Sequence, residues 1–275
     1  MLSDRIGWKP GTTAVPAGPD PLTGVQSKDV FISSKNNVSV RIYIPKFVTL
    51  NKKTPRSLIY FHGGGFMIES ATSSTYHPTL NLITRESNVI AVSVDYRLAP
   101  EYPIPTMYED SWEAIRWVAS HDSGHGPDKW LNDYADLKNV FLGGDSVLSV
   151  NGEEPIEPKT RKDREFEAAK DYLWNLVNPK GIRRDDPLFN PGTEPNVLGL
   201  RCSKILVCIG EKDKLRGMGL YYKKVMQKSG WIGRVDVMES KGEGHVFFLH
   251  NTSSENSCTL RKRICIFINP IRSKA

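Results

Sequence analysis

Val140-Phe141-Leu142-Gly143-Gly144-Asp145-Ser146 is a short apolar run that breaks at glycine and delivers a serine. Such a run reads as a buried strand. A serine on a sharp turn leaving a strand projects its Oγ above the sheet, and the pattern that marks such a turn is G-x-S-x-G. Gly144 supplies the small residue two positions before Ser146, where a side chain would clash. The position two after it is Leu148. Half the pattern is present, and taken alone a serine in a loop is the plainer reading. What lies on either side of the stretch decides the matter.

Upstream, Asp29 to Ser33 and Val38 to Ile44 alternate apolar and polar residues around Lys35-Asn36-Asn37, the signal of a hairpin. Ser57 to Phe61 and Asn88 to Val94 are apolar runs of strand length. Downstream, Lys204 to Ile209 and the weaker Val235 to Met238 repeat the pattern. Helical periodicity lies between them at Pro78 to Arg85, Ser111 to Ser120, Phe166 to Val177, Gly219 to Lys228 and Cys258 to Ile268. In the second of these, Trp112, Ile115 and Val118 form the expected apolar stripe. In the third, Phe166, Ala169, Leu173 and Leu176 do so. Strands alternating with helices predict an α/β fold, a mostly parallel sheet with helices on both faces, here with an antiparallel N-terminal hairpin at one edge. No linker separates two cores, so residues 1–275 are expected to form a single domain, with an irregular arm at 1–27 and a lid-like connecting region at 151–200.

Composition narrows the function. The 275 residues are 39% hydrophobic and 25% charged, ordinary for a globular protein. The net charge is +6, but Lys and Arg are spread along the chain, which argues against nucleic-acid binding. The densest group, Lys159 to Arg164, also holds Asp163 and reads as the solvated start of a helix. No apolar run reaches the length of a membrane span, and the first ten residues lack the apolar core of a secretion signal, so a cytoplasmic location is expected. Cys202, Cys208, Cys258 and Cys265 include no C-x-x-C pair and read as reduced, buried thiols. No metal-ligand cluster is visible and no cofactor is expected.

Three further stretches carry chemistry. His62-Gly63-Gly64-Gly65-Phe66 directly follows a strand, and glycines there let backbone N–H groups converge on an oxyanion. Asp213, in Gly210-Glu211-Lys212-Asp213, sits just past the fourth apolar run, where open α/β sheets place site residues; the bland alternative is a helix cap. His245, in Gly242-Glu243-Gly244-His245-Val246-Phe247, combines a glycine-rich loop with a preceding strand, as no other histidine does. Ser146, then Asp213, then His245 is the chain order of the α/β-hydrolase triad. The imidazole must take the serine proton, and the aspartate must fix the imidazole tautomer. The order predicts all three at neighbouring loop tips on one end of the sheet.

With these residues in place the sequence resembles the plant carboxylesterases of the hormone-sensitive-lipase branch of α/β-hydrolases. The matching stretches are His62 to Phe66, Asp95-Tyr96-Arg97-Leu98-Ala99-Pro100-Glu101, Tyr108 to Trp112, Gly144 to Ser146, Glu211 to Arg216, Ser229-Gly230-Trp231 and Gly242 to Phe247. The resemblance implies Ser146 as nucleophile, His245 as general base and Asp213 as its orienting acid. It implies Gly64 and Gly65 as oxyanion donors, with Val147 N–H as a third, and Asp95 to Glu101 as a structural brace for the oxyanion loop. It implies a small-molecule ester as substrate. The same branch holds gibberellin receptors, which resemble the enzymes but lose the catalytic histidine, and 2-hydroxyisoflavanone dehydratases. Because Ser146 and His245 are both kept, the chain is more similar to the esterases; a small-molecule receptor and a dehydratase are the rival readings.

One departure is large. The family continues Gly-Asp-Ser with Ala-Gly-Ala-Asn, a long helix and a further strand. Here Val147-Leu148-Ser149-Val150-Asn151-Gly152 follows, and the lid-like Glu153 to Pro158 comes at once. About a helix and a strand, on the order of 40–50 residues, is missing from the βαβ pattern. The expected results are a gap beside the serine strand, unless Val147 to Val150 fills it, and impaired esterase activity.

Overall fold

A computed structural model describes residues 13–33, 35–46, 55–146, 161–183, 185–195 and 197–270. The chain divides into two compact units, residues 1–146 with 261–275, and residues 147–260. Val147 and the expected lid-like stretch Glu153 to Pro158 lie outside the described residues.

In the first unit the hairpin pairs β1 (Gln26–Ser33) with β2 (Val38–Ile44) in antiparallel register, Val30 opposite Val40. Asn37 closes the turn at φ 54°, a left-handed conformation that asparagine tolerates. Three more strands follow: β3 (Arg56–Phe61), β4 (Val89–Asp95) and β5 (Asp136–Gly144). The sheet order is β1-β2-β4-β3-β5, with β3 parallel to both β4 and β5. The central strand β4 is buried almost end to end, the signature of a strand covered on both faces. Helix α1 (Tyr76–Ser87) makes the crossover from β3 to β4 and ends at Asn88, whose left-handed conformation turns its N–H back onto the last carbonyls.

Helix α2 (Thr106–Ala119) departs from the expected stripe. Trp112 is 56% exposed, and the buried positions are Met107, Asp110, Ala114 and Val118. The helix starts five residues before the apolar periodicity does, and one of its inward residues is charged, so the apolar count points to the wrong face. A short helix that no apolar periodicity announces, α3 (Lys129–Tyr134), is capped by the Asp128 carboxylate, which accepts from Trp130 N–H at 2.9 Å.

In the second unit, helix α4 (Arg161–Val177) begins within the basic group, and among its described side chains the buried ones are Trp174 and Val177; Leu173 and Leu176 are half-buried. The side chains of Phe166 and Ala169 lie outside the described residues. Strands β6 (Lys204–Gly210) and β7 (Arg234–Ser240) pair in parallel, joined by helix α5 (Arg216–Lys228). Val197, Met226 and Trp231 form a small core against Ile205, Tyr222 and Val235. The cysteines form no disulfide, but Cys202 and Cys208 are exposed rather than buried, since β6 presents Cys208 outward while Ile209 and Gly210 turn in. A one-turn helix, α6 (Phe247–His250), follows β7. Helix α7 (Glu255–Ile268) closes the described chain. Its later turns belong to the first unit, where Arg261 pairs with Glu86 at 3.0 Å and Phe267 meets Phe141 edge-on.

Candidate active site

Strand β5 delivers Ser146 at φ 51°. That left-handed backbone is uncommon outside glycine and asparagine and clusters at functional sites. Gly144 is needed for the approach: a Cβ there would stand 2.7 Å from the Phe61 carbonyl oxygen. The end of the neighbouring strand β3 supplies the glycine loop. A Cβ on Gly63 would meet Asp145 Oδ2 at 2.6 Å and Ser146 Cβ at 2.7 Å, so the loop lies directly against the serine turn. Gly64 (φ 102°) and Gly65 (φ 60°) both need the left-handed region, and a Cβ on Gly64 would strike the Ile68 carbonyl. Neither the Gly64 nor the Gly65 N–H has a hydrogen-bond acceptor among the described residues. These are the two donors that the resemblance implies.

The loop is held from beneath. His62 is 3% exposed and stacks on Tyr96 with ring centroids 4.2 Å apart. Its Nδ1–H donates to the Gly63 carbonyl at 2.8 Å, and the Tyr96 hydroxyl donates to the His62 carbonyl at 2.5 Å. Burial drives the His62 pKa down to about 4, so the imidazole is neutral at physiological pH and acts as a rigid wedge. The segment after β4 forms the brace. Arg97 forks onto Asp110 at 2.9 and 2.7 Å, and Ala99 N–H donates to the Phe66 carbonyl at 2.8 Å.

The second unit builds the acid–histidine pair. His245 Nδ1 lies 2.9 Å from Asp213 Oδ2, while Asp213 Oδ1 accepts from Leu215 N–H at 2.7 Å. Turn formation and imidazole orientation thus use different oxygens of one carboxylate. Partial burial opposes the charge on Asp213, but the bonds from His245 and Leu215 outweigh it and hold its pKa below the usual carboxylate value. The two loops are laced together: Lys212 N–H donates to the Glu243 carbonyl at 2.8 Å, and Gly242 N–H to Glu211 Oε2 at 2.8 Å. Gly210 permits this closeness, since a Cβ there would stand 2.7 Å from the Glu243 and Gly244 carbonyls. Val246, next to the histidine, is a β-branched residue at φ 43°, a local strain.

The first unit therefore brings together His62, Gly63, Gly64, Gly65 and Ser146, and the second brings together Asp213 and His245. Tyr60, Tyr76 and Asp145 also build the serine turn and its surroundings, but neither phenol carries a sequence signal for a site: Tyr60 lies in an apolar run that reads as core, and Tyr76 in the polar stretch before a helix. No group of three or more His, Cys, Asp or Glu is arranged to hold a metal among the described residues.

A mixed sheet, antiparallel through β1, β2 and β4 and parallel through β4, β3 and β5, a serine in a strained turn at a strand end and a glycine loop laid against it define the α/β-hydrolase fold class. A sequence model described as alpha/beta hydrolase fold matches residues 58–147 and 151–249, and one for the carboxylesterase family matches residues 8–100. Probable carboxylesterase 13 of Arabidopsis thaliana is 40% identical over 97% of this chain and 94% of its own. A probable tuliposide A-converting enzyme of Tulipa gesneriana, an amyloplastic protein, is 37% identical over 96% of this chain and 76% of its own. The chain belongs to the plant carboxylesterase family. Among solved structures, the Pyrobaculum calidifontis esterase superposes with a TM-score of 0.71 at 20% identity, covering 88% of this chain and 84% of that one. EstE1, a thermostable carboxylesterase from a metagenomic library, gives 0.69 at 24%, covering 88% of each. These likenesses show the fold.

The match to the hydrolase family is interrupted at 148–150, immediately after the serine turn. The alignment with the Arabidopsis relative runs over 308 positions but holds 97% of 275 residues. That leaves about 40 positions unfilled here, the size of one helix–strand unit.

Proposed function

We infer that this chain is a serine hydrolase of small carboxyl esters, working by acyl transfer. Ser146 Oγ attacks the ester carbonyl while His245 takes its proton, with Asp213 holding the imidazole tautomer. The oxyanion falls to the N–H groups of Gly64, Gly65 and Val147. The alcohol leaves with a proton from His245, and water then resolves the acyl-serine by the same route in reverse. The observation that carries this reading is Ser146 at φ 51° against Gly63, with the next two glycine N–H groups unengaged among the described residues. The Asp213–His245 bond supports the assignment of base and orienting acid.

The whole chain acts in this reading as one hydrolase domain on a small apolar ester, without metal, nucleic acid or membrane. The apolar residues Phe66 and Met67 beside the oxyanion loop favour short acyl groups. The test is a fluorophosphonate probe followed by peptide mapping, with a short-chain aryl ester as substrate. Label on Ser146, and turnover insensitive to chelator, are expected. No label, or activity abolished by chelator, overturns the reading; an unlabelled chain that dehydrates a 2-hydroxyisoflavanone is a lyase. We extend the reading to a cytoplasmic location, consistent with four cysteines outside any disulfide. A fluorescent fusion found in an organelle would contradict it.

A further inference from the structure

Ser146 is held in a strained conformation at φ 51°. The residue immediately before it ties the serine turn to the oxyanion loop. Asp145 Oδ1 accepts from the Tyr60 hydroxyl at 2.7 Å, and Asp145 Oδ2 accepts from the Tyr76 hydroxyl at 2.7 Å. The two phenols come from different elements, Tyr60 from the end of β3 and Tyr76 from the first turn of α1. Both are buried, Tyr76 to 2% exposure. The Tyr76 oxygen also accepts the Gly63 N–H at 2.7 Å. One hydroxyl therefore joins the oxyanion loop to the serine turn in a single chain, Gly63 N–H to Tyr76 Oη–H to Asp145 Oδ2.

We propose that Tyr76, seconded by Tyr60, is a positioning residue for the esterase, a clamp that sets the distance between the oxyanion donors and the Ser146 nucleophile. The inference rests on the esterase reading above. Three features support it. The donor and acceptor pattern admits one arrangement: a carboxylate only accepts and a backbone N–H only donates, so the phenol between them must do both. Bonds from a hydroxyl to a carboxylate are charge-assisted and strong where water is excluded. Burial together with the neighbouring Asp145 carboxylate pushes the Tyr76 pKa up, so the phenol keeps the proton that the clamp needs. A phenylalanine at position 76 fills the same space yet breaks both links at once, leaving Gly63 N–H without an acceptor. At position 60 it breaks only one link to Asp145 and leaves the loop tied.

The experiment compares wild type, Tyr76→Phe, Tyr60→Phe and Asp145→Asn with a short-chain aryl ester, alongside melting temperatures and hydrogen exchange of the peptide covering residues 62–68. Because displacement of a reacting group by about an ångström can cost on the order of 100-fold in rate, Tyr76→Phe should lower kcat by roughly 10- to 100-fold with KM within about threefold. Exchange at 62–68 should quicken. Tyr60→Phe should lose less, and Asp145→Asn, which keeps one acceptor oxygen, should fall between them. Wild-type kcat in Tyr76→Phe, or a loss confined to KM, overturns the clamp while leaving the esterase reading intact. A wild-type chain inert to both ester and fluorophosphonate overturns the esterase reading and the catalytic role of the clamp with it. Should Tyr76→Phe fail to fold, the graded losses in Tyr60→Phe and Asp145→Asn decide, and unchanged kcat in both overturns the proposal.

Discussion

His62 shows how a single buried side chain sets a pH window. Its folded pKa is about 4, against an ordinary value of 6.5, because burial penalises the imidazolium. Above pH 6.5 both folded and unfolded chains carry it neutral and it does not affect stability. Between 6.5 and about 4 the unfolded chain takes a proton that the folded chain refuses, so stability falls by about 1.4 kcal/mol per pH unit. Below about 4 both forms are protonated and its effect levels off. His77, whose pKa is lowered by burial and then by Arg41, acts in the same direction. Asp213 acts in a lower window. Its pKa is depressed below 3.8, so its contribution is present above that value and is lost as pH falls through the folded value. Denaturant titrations from pH 7 to 4 should show a falling midpoint in wild type and a shallower fall in His62→Gln. Parallel profiles for the two proteins would show that His62 titrates in the fold. Of the residues proposed for the site, Ser146, Asp213, His245 and the glycine loop carry a sequence signal because each sits in a short pattern with one mechanical reason. Tyr60 and Tyr76 carry none, since nothing in their neighbourhoods, an apolar run for Tyr60 and a polar helix entry for Tyr76, marks which phenol meets a carboxylate 85 or 69 positions away.

At the scale of elements, strand positions were readable to within a few residues, and α2 shows where periodicity misleads. Asp110 lies on the buried face of that helix, 1% exposed, because Arg97 reaches it with two guanidinium bonds and its own backbone N–H at 3.0 Å. A charged residue at a core position hides the helix's true stripe from any count of apolar residues. The pair also orients the segment that carries Tyr96 beneath His62 and Ala99 against Phe66. Asp110→Asn keeps the size and removes the charge, and it should destabilise the first unit by roughly 1.5–3 kcal/mol, the range for hydrogen bonds to a charged group. Chemical denaturation followed by the near-ultraviolet signal would measure it. Asp133→Asn, which removes the exposed pair with Lys129 (83% exposed), should be indistinguishable from wild type. Equal effects of the two substitutions would mean that Asp110 is no more than another surface charge.

At the scale of the molecule the strands among the described residues fall into a five-stranded and a two-stranded sheet, and β5 stands at the edge of the larger one. The apolar run that reads as a buried strand is therefore only partly covered: Val140 is 40% and Leu142 62% exposed. Beside them an apolar recess of about 640 Å³ is lined by Ile59, Ile115, Val118, Val140 and Leu142. The expectation from Leu148, Asn151-Gly152, Pro155 and Pro158, which lie outside the described residues, is that no long helix packs on this strand. The break in the family match falls at 148–150, and the alignment with the Arabidopsis relative leaves about 40 positions unfilled. The chain as a whole feels this in two ways. We propose that Val147 N–H lacks a following helix to fix its direction, and loss of one oxyanion donor has been worth roughly 10²–10³ in turnover in a measured protease. Re-covering two half-exposed aliphatic side chains is worth on the order of 2 kcal/mol, or about 4–8 °C in melting temperature for a chain of this size. A version with the Ala-Gly-Ala-Asn helix and its strand restored after Ser146 should therefore hydrolyse a short-chain aryl ester at least about tenfold faster than the natural chain, and melt several degrees higher. Comparable rates and melting temperatures would show instead that the shortened chain builds a complete nucleophile turn from the residues it has, with the Tyr60–Asp145–Tyr76 clamp as the structure that stands in for the helix.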